Sequence, residues 1–242
     1  MRLLLPFLLL ATAACTPSTN ETGAAFTETG QIIAMGGGEG GPANACFSCH
    51  GLEGEGDGIS VPRLAGLDAG YLQKQMEDYA KDVRQDPVMT QVARWLDDRN
   101  RRAVSEYYAA LPIPAGPAAA SGPAPAIYMQ GAPGRGIQAC ASCHGVAGEG
   151  IGAANPAIAA QPAAYTIDQL ERWRTAKRRN DPRGVMADAV ANLTRPEIEA
   201  IAVWLEHQLA SPPPASDAAS VSDGASAAAG SAASRGIRRP DR

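Results

Sequence analysis

The chain has 242 residues, of which only 5% are aromatic, together with 26 glycines and 19 prolines. So little aromatic mass predicts that something other than large side chains fills its core. The formal net charge of −4 argues against a nucleic-acid-binding protein, which normally presents a basic surface.

The N-terminus has the pattern of a targeting segment. Arg2 precedes an apolar run from Leu3 to Ala14, which is shorter than the roughly 20 residues that span a bilayer. We therefore interpret residues 1–15 as a signal peptide. The stretch "LLLATAAC" resembles a bacterial lipoprotein signal, which predicts a lipid anchor on Cys15; ordinary cleavage that removes Cys15 is the alternative. Residues 16–25 follow as a polar tether.

The rest of the chain is an internal duplication. The stretch "ACFSCHGLEGEG" at residues 45–56 returns as "ACASCHGVAGEG" at residues 139–150. Matches continue beyond it at the same offset, and they pair Tyr71 with Tyr165, Gln75 with Gln169 and Tyr79 with Trp173. The predicted segments are module one at 26–111, a Pro/Ala/Gly linker at 112–125, module two at 126–210 and a disordered tail at 211–242.

Both modules carry apolar residues at helical spacing, and strand signals are absent. Leu72, Met76, Tyr79 and Val83 form such a series in module one. The last helix of module two opens with the capping-box pair Thr194 and Glu197. The sequence predicts an all-α fold with two helical domains, each too small for an apolar core alone to stabilise well.

Each module contains one C-x-x-C-H motif, which is the pattern of covalent c-type haem attachment. Two thiols one helical turn apart can each form a thioether with a haem vinyl group, and the adjacent histidine then reaches the iron. The residues of the two motifs are Cys46, Cys49 and His50 in module one, and Cys140, Cys143 and His144 in module two.

Three other interpretations of the motif fit less well. A structural zinc site needs four Cys or His ligands, and each motif supplies three. A thioredoxin-like redox pair belongs in a βαβ context, which the sequence does not predict. A simple disulfide does not require the histidine. Two covalently bound haem c groups, with their iron, are therefore the predicted cofactors.

The number of histidines limits which residues can be the sixth ligand of each iron. The chain has three histidines, and two of them are the proximal ligands. We expect His207, near the end of the last helix, to be a surface residue, so methionine is the natural distal ligand. The repeat alone leaves two methionine pairs open. We favour Met89 and Met186, because each follows a proline-containing break between helices, and the alternative pair is interpreted as core: Met35 and Met129.

Further residues are expected around each haem. A ligating histidine usually donates its other ring N–H to a backbone carbonyl, and the carbonyls of Pro62 and Pro156 follow the motifs at suitable positions. Arg84 and Arg179 occupy matching positions in the repeat, and we expect them either to pair with haem propionates or to lie solvated at a helix end.

The motifs "CFSCHGLEGEG…VPRLAGL…YLQKQM…DPVM" and "CASCHGVAGEG…NPAIAAQ…YTIDQL…NDPRGVM" resemble the dihaem cytochrome c4 family over residues 30–210. The resemblance implies two tandem cytochrome c-like domains, Cys-Cys-His-Met haem sites and electron transfer in the periplasm. It implies redox-protein partners, with a quinol-oxidising complex or a dehydrogenase as donor and a terminal oxidase as acceptor.

The leading hypothesis is therefore an electron carrier without enzymatic activity. The alternatives are a cytochrome subunit of a membrane-associated dehydrogenase, a dihaem peroxidase-like enzyme and a haem sensor, of which the last two need an open iron. Module one has 13 acidic and 8 basic residues, and module two has 8 of each. This asymmetry predicts that the two haem faces meet different partners.

Overall fold

The computed structural model describes residues 21–114 and 122–208. The predicted signal peptide with Cys15, the first half of the tether, the middle of the linker and the tail lie outside the described residues. Ten α-helices occur in the described part, in this order: α1 Glu21–Gly36, α2 Phe47–His50, α3 Ala69–Ala80, α4 Met89–Trp95, α5 Asp98–Ala110, α6 Ala126–Gln130, α7 Ala141–His144, α8 Ala163–Arg174, α9 Val185–Val190 and α10 Arg195–Glu206. Only isolated bridges, and no strand, occur in the same residues, so the all-α prediction is confirmed.

Module one is organised around the packing of α1 on α5. The two helices approach closely at Gly30, where an added Cβ would lie 2.1 Å from the carbonyl oxygen of Ala103. Glycine at this position lets the backbones approach closely and bury Ala34, Val104 and their neighbours. Helix α1 begins at Glu21, so that residues 21–25, which the sequence assigned to the tether, are helical.

Module two repeats this arrangement with a shorter first helix. Its core is formed by α6, α10 and the segments between them, with Tyr128, Ile198 and Leu205 almost fully buried. The capping box predicted from Thr194 and Glu197 is present at the start of α10. It fixes the first turn of the helix that carries the buried face of this module.

Two sequence predictions need correction in the helical faces. The sequence pattern predicts Val83 in the apolar face of α3, but that helix ends at Ala80 and the Val83 side chain is half exposed. The sequence predicts Met129 as core, whereas it lies on the outer face of α6 beside the buried Tyr128.

Within residues 21–114 and 122–208, every helix is too short or too polar to span a bilayer.

Candidate haem sites

Each C-x-x-C-H motif forms one helical turn, α2 or α7, that ends at a glycine in a positive-φ conformation. Gly51 has φ 80° and Gly145 has φ 83°. A Cβ at either position would lie 2.2 Å from a carboxylate, that of Glu55 in module one and of Glu149 in module two. Each carboxylate accepts a hydrogen bond from a backbone N–H of its own loop, at 2.9 Å and 2.8 Å. The "HG…GEG" part of the repeat therefore folds the chain back over the histidine.

The four motif cysteines are free thiols in the structure. Cys49 is exposed and Cys46 is partly covered. Burial raises the pKa of the Cys46 thiol to about 11 and also raises the pKa of Cys140. No disulfide joins the two cysteines of either motif, so all four thiols are available to form thioethers with haem vinyl groups.

The two proximal histidines are buried and equivalent. Nδ1 of His50 lies 3.0 Å from the carbonyl oxygen of Pro62, and Nδ1 of His144 lies 2.8 Å from that of Pro156. These are the carbonyls that the sequence analysis predicted. Because a carbonyl only accepts, Nδ1 carries the proton and donates, which leaves Nε2 unprotonated. Burial lowers the pKa of both imidazoles, so both remain neutral and able to bind a metal.

Met89 and Met186 lie at matching places, at the starts of α4 and α9. In module one the carboxylate of Asp86 accepts the N–H of Met89 at 3.0 Å. In module two the carboxylate of Asp181 accepts the N–H of Met186 at 2.6 Å. Both side chains are half-buried. Each candidate distal ligand therefore lies in the first turn of a helix, and the preceding aspartate accepts its backbone N–H.

The other methionines lie in different surroundings. Met35 packs against the module-one core, and Met129 is 36% exposed on α6. Met76 packs against the cluster that contains Ile33. His207 ends α10, and its Nδ1 donates to the carbonyl oxygen of Val203 at 2.8 Å. The exposed contact of His207 matches its interpretation as a surface residue. Met35 and Met129 do not share the position of Met89 and Met186 after a bonded aspartate.

Two buried arginines link the modules. Arg84 donates to Gln75 at 2.9 Å within module one, and to Tyr165 at 3.1 Å and Gln169 at 2.7 Å in module two. Arg178 makes the converse contacts, with Gln169 at 2.7 Å in its own module and Gln75 at 3.1 Å in the other. We call these two side chains the arginine pair.

The partner of Arg84 in the repeat is thus Arg178, and the sequence alignment with Arg179 was wrong by one residue. Arg84 lies over the Tyr79 ring at 4.7 Å, and Arg178 lies over the matching Trp173 ring at 3.7 Å. Arg179 is exposed, and its Nε donates to the carbonyl oxygen of Ala176 at 2.7 Å. The extra residues of module two come after Arg178. Arg84 and Arg178 are therefore still 94 positions apart, as the two C-x-x-C-H motifs are.

The surroundings of the arginine pair fit an anionic group. Neither guanidinium forms an ion pair with a carboxylate in residues 21–114 and 122–208, although both side chains are about 95% buried. The buried indole N–H of Trp173 also has no hydrogen-bond partner in that part of the chain. The guanidinium N–H groups already donate to amide and phenol oxygens, so what the arginine pair lacks is a counter-charge. Buried charges are normally paired, and a haem propionate would supply that charge and an acceptor for the Trp173 N–H.

Comparison with known proteins identifies the family of the chain. The family model described as "Cytochrome c" matches residues 37–111 and again residues 128–208. The chain therefore belongs to the cytochrome c family. The tandem match, with one C-x-x-C-H motif in each half, makes it a dihaem, cytochrome c4-like electron carrier that binds one haem c covalently in each module.

Several relatives resemble the chain over most of their length. It is 38% identical to the "Thiosulfate dehydrogenase electron acceptor" of Stutzerimonas stutzeri (strain A1501), over 72% of this chain and 84% of the relative. It is 39% identical to cytochrome c4 of Thiocapsa roseopersicina, over 66% of this chain and 85% of the relative.

Two solved structures have the same fold. Reduced recombinant cytochrome c4 from Pseudomonas stutzeri matches with a TM-score of 0.66 and 27% identity, over 76% of this chain and 98% of that one. Thiosulfate dehydrogenase (TsdBA) from Marichromatium purpuratum matches with a TM-score of 0.67 and 34% identity, over 79% of this chain. The match covers 43% of that longer chain.

Proposed function

We propose that this protein is a periplasmic carrier that takes single electrons from a dehydrogenase or a quinol-oxidising complex and delivers them to a terminal oxidase or a similar acceptor. When bound, each haem would supply a one-electron iron couple. His50 and His144 would hold the two irons through Nε2, and Met89 and Met186 would hold them through their thioethers. The observation that carries the proposal is that both modules contain a buried histidine bonded to a proline carbonyl and a methionine whose N–H is bonded to an aspartate.

A closed pair of sites favours a carrier over an enzyme. A peroxidase-like enzyme or a ligand sensor needs one iron with an open position. Both modules retain a methionine whose backbone N–H is accepted by an aspartate that precedes the helix, at Met89 and Met186. If histidine and methionine hold both irons, neither module would offer a substrate a free coordination position.

The donor is proposed from the relatives. Two of them are described as thiosulfate dehydrogenase electron acceptors, and TsdBA contains a region similar to this chain. This supports a thiosulfate dehydrogenase as the electron donor, and it is close to the alternative of a dehydrogenase cytochrome subunit. Mixing the oxidised holoprotein with such an enzyme and thiosulfate should reduce both haems; no reduction above the rate without enzyme contradicts this donor.

The arginine pair has a proposed role in both modules. Arg84 and Arg178 would hold haem propionates, and Arg179 is proposed instead as a surface charge near the groove between the modules. For the cellular location, the apolar run before Cys15 supports export, and lipidation of Cys15 remains a prediction that mass spectrometry of the mature protein tests.

The distal ligands are tested by substitution. Met89→Leu and Met186→Leu should each remove about half of the methionine–iron charge-transfer band, because each opens one iron and leaves the other closed. Optical and EPR spectra of the oxidised holoprotein measure this. Met76→Leu is the matched control, since Met76 packs in the core and should leave the band unchanged. A full band in Met89→Leu would exclude Met89 as the ligand.

A further inference from the structure

The peptide group between Pro62 and Arg63 is hydrogen-bonded on both sides by partners from different modules. Its carbonyl oxygen accepts from Nδ1 of His50 at 3.0 Å. Its N–H donates to Oε1 of Gln161 at 3.0 Å. The amide of Gln161 returns a second bond, from Nε2 to the carbonyl oxygen of Arg63 at 3.0 Å. One peptide group thus connects the proximal histidine of module one with a side chain of module two.

This link lies away from solvent. Gln161 is 5% exposed and Arg63 is 3% exposed. The Arg63 guanidinium also crosses to module two, where it donates to the carbonyl oxygen of Ala159 at 3.2 Å. Hydrogen bonds in a buried chain are electrostatically stronger than in water, and each one polarises the next. Water cannot replace the Gln161 amide without opening the contact between the modules.

Module two has no equivalent link. Pro156, which accepts from His144, is followed by Ala157, and within the described residues the N–H of Ala157 has no hydrogen-bond partner. The repeat position of Gln161 in module one is Leu67, a buried side chain without an amide. Both proximal histidines therefore donate to a proline carbonyl. They differ in the N–H of that same peptide group, which has a side-chain acceptor only in module one.

We propose that Gln161 is a positioning residue for the iron of module one, acting across the module boundary through the Pro62–Arg63 peptide and His50. By accepting the N–H of Arg63, it makes the Pro62 carbonyl a stronger acceptor. His50 then becomes a more basic, more electron-donating ligand, and the oxidised iron of module one is favoured. The proposal rests on the proposed role of His50 as the proximal ligand.

The test uses the holoprotein with Gln161→Met, which removes the acceptor at nearly constant volume. The reduction equilibrium of the module-one haem should shift towards the reduced form by about tenfold, equivalent to ~59 mV for one electron, while the module-two haem stays unchanged. A spectroelectrochemical titration that resolves both haems measures this shift. In the reduced protein, the NMR signal of the His50 Nδ1 proton should move upfield and that of His144 should not.

Two further variants separate this role from a loss of docking. Lys74→Met removes a bond across the same boundary, from Nζ to the carbonyl oxygen of Asn180 at 2.7 Å, and touches neither proximal peptide. It should leave both potentials and both histidine signals unchanged. Gln161→Glu keeps an acceptor, so the His50 signal should stay at least as far downfield as in the wild type.

The outcomes also distinguish the inference from the function on which it rests. Equal shifts of both haems in Gln161→Met, or an unmoved His50 signal, would overturn the role of Gln161 while leaving the electron carrier intact. A wild-type spectrum without histidine ligation at module one would overturn both.

Discussion

At the scale of single residues, the repeat conserves a geometry that extends beyond the ligands themselves. Asp86 accepts the N–H groups of both Val88 and Met89, and Asp181 accepts those of Met186 and Ala187. An aspartate in this position fixes the first turn of a helix and therefore the place from which the methionine side chain leaves the backbone. The sequence shows both Asp-Pro pairs, but which N–H groups they hold is visible only in the fold.

We expect Asp86→Ala to weaken methionine ligation in module one and to leave module two unchanged. Loss of a hydrogen bond to the first turn of a helix costs about 1 kcal/mol, and here the loss also frees the residue that carries the thioether. The charge-transfer band of the oxidised holoprotein and its unfolding free energy are the two measurements. Asp97→Ala is the control, because Asp97 caps α5 through the N–H of Asn100 and should cost similar stability without spectral change. Equal spectral losses in both variants would contradict this role of Asp86.

Much of the site at this scale could be predicted because the motif is local. The cysteines, the histidines and the carbonyls of Pro62 and Pro156 all lie within one short loop of each module. Arg178 was missed because a one-residue insertion next to it makes Arg179 an equally good match in the sequence. Gln161 was missed because its contact joins residues 98 positions apart, and no local pattern reports the packing of one module on the other.

At the scale of elements, helix–helix approach decides where small residues are needed. Gly30 in α1 faces the backbone of α5 with no room for a side chain. Gly36, in the last turn of the same helix, has nothing within 4 Å of the position that a Cβ would take. Helical periodicity predicts the helices well, but it wrongly predicts that Val83 and Met129 are buried. Periodicity identifies the apolar face of a helix. It does not show at which residue the helix ends, or which of its residues other elements cover.

We expect Gly30→Ala to destabilise the holoprotein by about 1–3 kcal/mol, since the added methyl group must push α1 away from α5. Gly36→Ala is the matched control in the same helix, and it should be neutral or stabilising by up to about 1 kcal/mol through helix propensity. Denaturant unfolding followed by helical circular dichroism measures both. A cost for Gly36→Ala as large as that for Gly30→Ala would show that the close approach is not the cause.

At the scale of the whole molecule, the two modules share a fold but not a charge. The acidic excess lies in module one, and module two carries exposed basic residues near α9, including Lys177, Arg179 and Arg183. Some of these line a surface groove between the modules, together with Arg94 and Arg172. Charge of opposite sign raises the local concentration of a reagent and its rate of encounter.

We therefore expect the two haems to prefer small redox reagents of opposite charge. A cationic reagent should react faster with the haem of module one, and an anionic one with that of module two, by about tenfold at low ionic strength. Stopped-flow kinetics over a salt series measures this, and added salt should reduce both preferences. The double change Lys177→Gln and Arg179→Gln should weaken only the anionic preference; the same preference at both haems would contradict this prediction.

The arginine pair shows one more property of the duplicated chain. Arg84 contacts Gln169, and their repeat counterparts, Arg178 and Gln75, contact each other in turn. This reciprocity is the signature of an isologous interface, the kind that joins two identical subunits about a two-fold axis. The two modules of this one polypeptide are therefore joined in the same way as the two subunits of a homodimer. Since the linker makes the association intramolecular, its two halves stay paired at any dilution, where separate subunits would dissociate.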